Sequence, residues 1–244
     1  FIRGDEDRRL GDRSGRQAPR LRKGPRRTAM RRDRRLRVEG LEDRRMLATF
    51  VVNSVFDIDQ DGNAVTGSLR QAVQLANATE ERDTIVFSDA VFPQGATIVL
   101  SGAEGGGELE ITQPLNIIGP GAEKLTIVAG GANRIFNLNI REDDSAFPVT
   151  IGGMTLARGN VQGTDEDDAG GAIFNREALT VTEVIFFDNS ATMGGGAIYN
   201  AFGSVDVRRS LFLENGSSLG GAVLNGPDTD MSDMPAPSTT IRNS

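Results

Sequence analysis

"GGAIFN" (170–175), "GGAIYN" (195–200) and "GGAVLN" (220–225) are one phrase written three times, 25 residues apart. A fixed interval in the 20–50 residue range is the mark of a stacked repeat. The segments between the copies align as well: "VTIGGMTLARGN" (149–160), "LTVTEVIFFDN" (179–189) and "VDVRRSLFLEN" (205–215), with "TTIRNS" (239–244) opening the segment once more. Each begins with strict alternation. Val149, Leu179 and Val205 are apolar, Thr150, Thr180 and Asp206 polar, and Ile151, Val181 and Val207 apolar again. Period two describes a strand with one face buried. A second apolar run follows (Ile185 and Phe186; Leu211 and Phe212), then an asparagine (Asn189, Asn215), a polar loop and the glycine phrase with its own short strand.

A unit of about 25–30 residues with three short strands cannot bury its apolar face alone. Coiled so that each strand lies beside its equivalent in the next unit, it closes three parallel sheets around a filled core. The expected fold is all-β, a right-handed single-stranded parallel β-helix with coils about 4.8 Å apart. Equivalent residues then stack in columns. Ile173, Ile198 and Val223 form one, Phe186 and Phe212 another, and Ala172, Ala197 and Ala222 a narrow third. The glycine pairs 170/171, 195/196 and 220/221 are expected to take positive φ at a corner. Asn175, Asn200 and Asn225 are expected to form a ladder of side-chain amides.

The rhythm is looser upstream but continues through "GELEITQPLNIIGPGAEKLTIVAGGANRIFNLNI" (107–140), "DTIVF" (83–87) and "TIVLSG" (97–102). In "SLRQAVQLANA" (68–78), Ser68 and Gln71 read as a capping box, and Leu69, Ala72, Val73 and Ala76 share one helical face. A short amphipathic helix there would cap the N-terminal end of the solenoid.

This succession of "SLRQAVQLANA", "DTIVF", "LNIIGPG" and then alternating Gly-Gly-Ala-Ile and Phe-x-x-Asn coils resembles the β-helix domains of bacterial surface proteins, and in particular the repeats of the polymorphic outer membrane protein family. The Phe-x-x-Asn copies are Phe186–Asn189 and Phe212–Asn215, and the earlier coil departs with Leu156-Ala157-Arg158-Gly159 before Asn160. The resemblance covers about residues 49–244 and implies a secreted or outer-membrane-associated surface protein. Autotransporting members of that family end in a membrane barrel, which this chain does not show.

Charge divides the chain sharply. Residues 1–46 carry 17 Arg and Lys against 8 Asp and Glu, whereas residues 47–244 carry 10 against 26. The first segment has the composition of a disordered basic leader, so the domain reading is a leader over 1–47 and a β-helix over 48–244. From Met30, "MRRDRRLRVEGLEDRRMLATF" resembles the export leader of large planctomycete proteins, on the core Leu41, Glu42, Asp43, Arg44, Arg45, Met46 and Leu47. "RGD" at 3–5 is read as chance. The acidic segment repels phosphate, so no nucleic-acid partner is expected. There is no Cys and no His, which removes disulfides, thiolate metal sites and the commonest general base. No apolar run reaches the ~18–20 residues of a membrane-spanning helix.

Polysaccharide lyases and glycosidases also use β-helices, and they need carboxylates grouped on one outer face. The outward columns read Thr150, Thr180, Asp206, Thr240 and Gly152, Thr182, Arg208, Arg242. One carboxylate and two arginines make neither an acid–base pair nor a calcium cluster, so no catalytic residue and no cofactor is assigned. The acidic run Asp165–Asp168 reads as a solvated loop tip, and Tyr199, in a repeat position held elsewhere by Phe174 and Leu224, as packing. The one candidate metal site is "DIDQDG" (57–62). Asp57, Asp59 and Asp61 alternate before Gly62 like the first half of a calcium loop, although the twelfth position would be Ser68. The two readings are structural calcium and a polar surface turn.

The functional expectation is a non-catalytic, exported surface or envelope protein with an adhesive or structural role, its partner a cell-surface or extracellular glycan or protein. A polysaccharide-active enzyme with a degenerate site and a secreted glycan-binding module are the alternatives. Further coils are expected beyond Ser244, with "PDTDMSDMPAPS" (227–238) as a loop insertion, so that the chain is either a monomer or part of something longer.

Overall fold

The computed structural model describes residues 47–244 except 94, 104–105, 139–145, 166–167 and 227–235. The leader core, apart from Leu47, and most of the 227–238 insertion lie outside the described residues. The described residues form a parallel β-solenoid of about five turns with one short helix.

Among the described residues every strand pairing is parallel, and one isolated antiparallel bridge joins Ile58 to Ala64. The largest sheet follows the order Thr49–Val52, Asp83–Phe87, Leu115–Ile118, Pro148–Ala157, Ala178–Phe187, Ser204–Arg208 and Ser238–Arg242. It bends into a second ladder built from Ala96–Val99, Leu125–Val128, the later halves of the two ten-residue strands, and Leu211–Leu213. A five-stranded sheet stacks Leu109–Ile111, Phe136–Leu138, Ile173–Asn175, Ile198–Asn200 and Val223–Asn225, and a three-stranded one Asn160–Val161, Ser190–Ala191 and Gly216–Ser217. The alternation seen in the sequence accounts for the core. Ile85, Ile117, Ile151, Val181 and Val207 are in register in successive coils and fully buried. Each such side chain contributes about 1.5–3 kcal/mol by leaving water.

The expected columns are present. Ile173, Ile198 and Val223 are in register, and the Phe186 and Phe212 rings stack with centroids 4.8 Å apart and planes 4° from parallel. Asn175 Nδ2 donates to Asn200 Oδ1 (2.8 Å) and Asn200 Nδ2 to Asn225 Oδ1 (3.0 Å). A second ladder links Asn189 Nδ2 to Asn215 Oδ1 (2.9 Å), and each of these asparagines also donates to a carbonyl one coil back, Leu156 O and Phe186 O respectively. The ladders satisfy the polar groups that a turn leaves behind, which is why Asn175, Asn189 and Asn200 stand fully buried.

The glycine pairs differ from expectation. Gly170 and Gly195 take positive φ (70° and 56°), but Gly171 and Gly196 do not. Their requirement is space: a Cβ on Gly171 would lie 2.3 Å from Gly196 O, and one on Gly196 2.5 Å from Gly216 O. Only in the last copy do both glycines, Gly220 and Gly221, have positive φ.

The corners of the large sheet are made mostly by other residues. Gly153, Glu183, Arg209 and Asn243 follow directly on the in-register set Gly152, Thr182, Arg208 and Arg242, and all four are left-handed, with φ of 66°, 55°, 47° and 52°. Arg158, Asp188 and Glu214 form a second left-handed column at 57°, 53° and 56°. A non-glycine residue there costs roughly 1–2 kcal/mol. The strand ladders on either side hold it in place.

The capping helix runs from Leu69 to Asn77, and Leu69, Ala72, Val73 and Ala76 are its buried face, as expected. Ser68 Oγ accepts from Gln71 N–H (3.0 Å), while Gln71 Oε1 accepts from Gly67 N–H (2.8 Å) and not from Ser68 itself. Arg70, one position off the apolar stripe, is also buried.

Candidate functional site

The outer surface of the large sheet carries two columns. The first reads Thr49, Thr84, Asn116, Thr150, Thr180, Asp206 and Thr240 in unbroken register, and the second Val51, Val86, Ile118, Gly152, Thr182, Arg208 and Arg242. The eight positions read outward from the repeat alone are therefore placed together. Arg82 reaches from the loop before Asp83–Phe87 to donate to Thr150 Oγ1 (3.0 Å). Arg209, at the corner, donates to Glu183 (2.9 Å) and Thr182 Oγ1 (3.1 Å).

Asp206 is the single carboxylate in these columns. Arg208 donates to its Oδ2 through Nε (3.1 Å) and Nη2. That hydrogen bond holds the Asp206 carboxyl below its ordinary value, Arg208 and Arg242 adding attraction, and it raises the Arg208 guanidinium in turn. The pairing favours the ionised carboxylate, so its contribution is present above the ordinary Asp value and is lost as pH falls through the lowered one. A hydrolytic pair needs a second carboxylate ~5–10 Å away on the same face, and the two columns supply none.

The acidic loop 57–62 is built differently from a calcium cradle. Asp57 is buried and takes Arg70 in a two-point contact, Oδ1 to Nε at 2.8 Å and Oδ2 to Nη2 at 2.9 Å. Its Oδ2 also accepts from Ser101 N–H at 2.7 Å. Arg70 continues to Gly107 O (2.7 Å) and Glu108 O (3.2 Å), so one guanidinium ties loop, capping helix and the next coil together. Asp59 Oδ1 accepts from the backbone N–H groups of Asp61 and Asn63 (2.9 Å each), the geometry of an Asx turn, with Gly62 at positive φ. Among the described residues no three Asp or Glu side chains gather as metal ligands. Asp57 thus points to Arg70 and Asp59 to its own turn, and the three carboxylates are not brought onto a common point.

Two further features were not legible in the sequence. A groove of ≈ 660 Å³ runs beside this loop, lined by Phe56, Asp59, Gln60, Thr97 and Val99 among others, and Phe56 is 71% exposed. Farther on, Arg134 is buried, contacts Glu108 at 3.1 Å and lies 5.0 Å from the centre of the Phe174 ring. Phe174 in turn packs on Tyr199, centroids 5.4 Å apart, which gives the tyrosine the packing role expected of it. In the acidic loop Asp168 Oδ2 accepts from Asp165 N–H (2.9 Å), and Glu166 and Asp167 lie outside the described residues.

No helix among the described residues is long and apolar enough to cross a membrane. No curated protein and no solved structure matches the chain. Residues 183–201, which run from the left-handed corner at Glu183 through Phe186–Asn189 and the second glycine phrase, match the Chlamydia polymorphic membrane protein repeat.

Proposed function

We propose that this chain is a non-catalytic, exported β-helix protein of the cell surface or outer envelope, with an adhesive or architectural role. The observation that carries the reading is the coil at 183–201. It matches a membrane-protein repeat and sits in a stack where both halves of the repeat, Phe-x-x-Asn and Gly-Gly-Ala-apolar, serve as internal ladders. Such a stack offers a long, regular outer surface, and its two outward columns, one rich in threonine and the other running from Val51, Val86 and Ile118 to Arg208 and Arg242, hold no catalytic carboxylate pair. The basic segment 1–47 is read as the export leader.

Protease treatment of intact cells of the source organism, followed by blotting with antibody to residues 48–244, tests the location. Loss of the band from intact cells is the expected result, and full protection together with a cytosolic band sinks the reading. Incubation of the chain with acidic and neutral polysaccharides is expected to release no new chain ends; their release would restore the enzyme alternative.

Calcium at Asp57, Asp59 and Asp61 remains a proposal of a different kind, because the ion would have to displace Arg70 from Asp57. A melting curve with and without millimolar calcium decides it. A saturable rise in Tm would assign the loop to calcium, since a ligand bound only by the folded state stabilises it by mass action. An unchanged Tm, which the Arg70 contact leads us to expect, leaves a salt-bridged turn.

A further inference from the structure

Residues 47–244 hold only 10 Arg and Lys against 26 Asp and Glu, yet two of the arginines stand one above the other. Arg208 and Arg242 are Cα partners in the pairing of Ser204–Arg208 with Ser238–Arg242, and both are exposed. Adjacent coils are about 4.8 Å apart, so two like charges face each other at strand spacing, which is destabilising in a bare sheet. Asp206 answers Arg208, but among the described residues no carboxylate lies at ion-pair distance from Arg242. Within the two columns there is therefore one carboxylate for two stacked guanidinium groups, while at their margins Glu183 answers Arg209 and Arg82 reaches Thr150. In line with them run the hydroxyls of Thr150, Thr180 and Thr240, with Thr182 in the arginine column.

A guanidinium presents parallel N–H donors that fit a carboxylate, and hydroxyls pair with hydroxyls in either direction. We propose that this face binds an acidic, uronate-bearing polysaccharide laid along the coil axis. Arg208 and Arg242 take its carboxylates, and the threonine column takes its hydroxyls. The wider acidic surface of the domain selects against densely charged polymers. Duplex nucleic acid, with one negative charge per ~1.7 Å, is repelled, whereas a polyuronate carries its charges farther apart among neutral hydroxyls. The proposal deepens the surface reading by naming a ligand class. It is measured on the purified chain, so a cytosolic location would overturn the surface reading and leave the binding result to stand or fall by itself.

The experiment is a titration of the full chain with polygalacturonate oligomers at low salt, with dextran oligomers of similar length in parallel. The basic residues 1–46 attract any polyanion, so the test rests on two charge-matched double variants. Arg208→Gln with Arg242→Gln removes the stacked pair, and Lys124→Gln with Arg158→Gln removes the same charge away from these columns. The first is expected to weaken polygalacturonate binding about tenfold and to flatten its salt dependence, the second to change it by less than about twofold. Arg208→Lys with Arg242→Lys keeps the charge but not the planar fork, and is expected to fall between wild type and the glutamine variant. Melting curves confirm that each variant is folded. Equal losses in the two glutamine variants, no loss in the first, dextran binding as tight as polygalacturonate, or a loss of duplex DNA binding in the first variant as large as its loss of polygalacturonate binding would each overturn the proposal.

Discussion

Gly171→Ala is expected to destabilise the chain by about 4 kcal/mol, a loss of roughly 10 °C in Tm for a domain of this size. The reason is steric and local. The new Cβ would meet two backbone oxygens, Gly196 O at 2.3 Å and Ser190 O at 2.5 Å, and both belong to the next coil. Backbone cannot swing aside as a side chain does, so the coils must separate at the point where Gly171 N–H donates to Gly195 O and Ala172 N–H to Ala197 O. Gly216→Ala is the control. An added Cβ there meets nothing within 4 Å and its φ is not left-handed, so the change is expected to stay within about 0.5 kcal/mol. Thermal melts of the two variants separate a close-approach requirement from a general intolerance of substitution in the repeat. Equal losses would mean that the glycine phrase is held for some other reason.

Asn200→Asp is expected to cost about 3 kcal/mol at neutral pH and to recover in acid. Asn200 is fully buried at the centre of its ladder; its Nδ2 donates to Asn225 Oδ1, Gly203 O and Ser238 O, and its Oδ1 accepts from Asn175. A carboxylate keeps the acceptor but turns the donor into a second acceptor facing three oxygens. Burial and those oxygens both disfavour the ionised form, so the folded-state pKa of the new group lies above its unfolded value of about 4. The penalty is therefore complete above the folded pKa, shrinks as pH falls through it, and vanishes below about pH 4, where both states are protonated. Asn200→Leu, by contrast, orphans the same partners at every pH and should show a flat loss relative to wild type. Urea unfolding of both variants from pH 7 to pH 4 distinguishes them. A pH-independent Asn200→Asp penalty would place this side chain in water.

Much of this architecture was legible because a repeat states its own register. Once "GGAIFN" is aligned with "GGAIYN", the pairing of Ile173 with Ile198 and of Asn175 with Asn200 follows, and with it the outward set from Thr150 to Thr240. The corners were less legible. Glu183, Asp188, Arg209 and Glu214 have the composition of any exposed turn, and nothing in their identity says left-handed; only Gly153, in the same stack as Glu183, hinted at it. The glycine phrase misled in the opposite way, since its second glycine answers to a neighbour one coil away and not to its own φ. At the cap, the period-four stripe identified Leu69, Ala72, Val73 and Ala76, but a stripe gives no reason to bury Arg70. That depends on Asp57, which is 13 residues earlier in the chain and, in the sequence, reads as a calcium ligand.

The direction of the hydrogen bonds between coils has a mechanical consequence. They run from one coil to the next along the solenoid axis, as Asn175–Asn200–Asn225 does, and each strand pairs only with strands of the adjacent coils. Tension applied along that axis is therefore borne by one ladder at a time, and the stack yields as a zipper does, from an end, coil by coil. Each release frees about 25 residues, roughly 80–90 Å of extended chain. A filament of this kind absorbs a pull by lengthening in steps of that size, while the coils not yet reached keep their outer face intact.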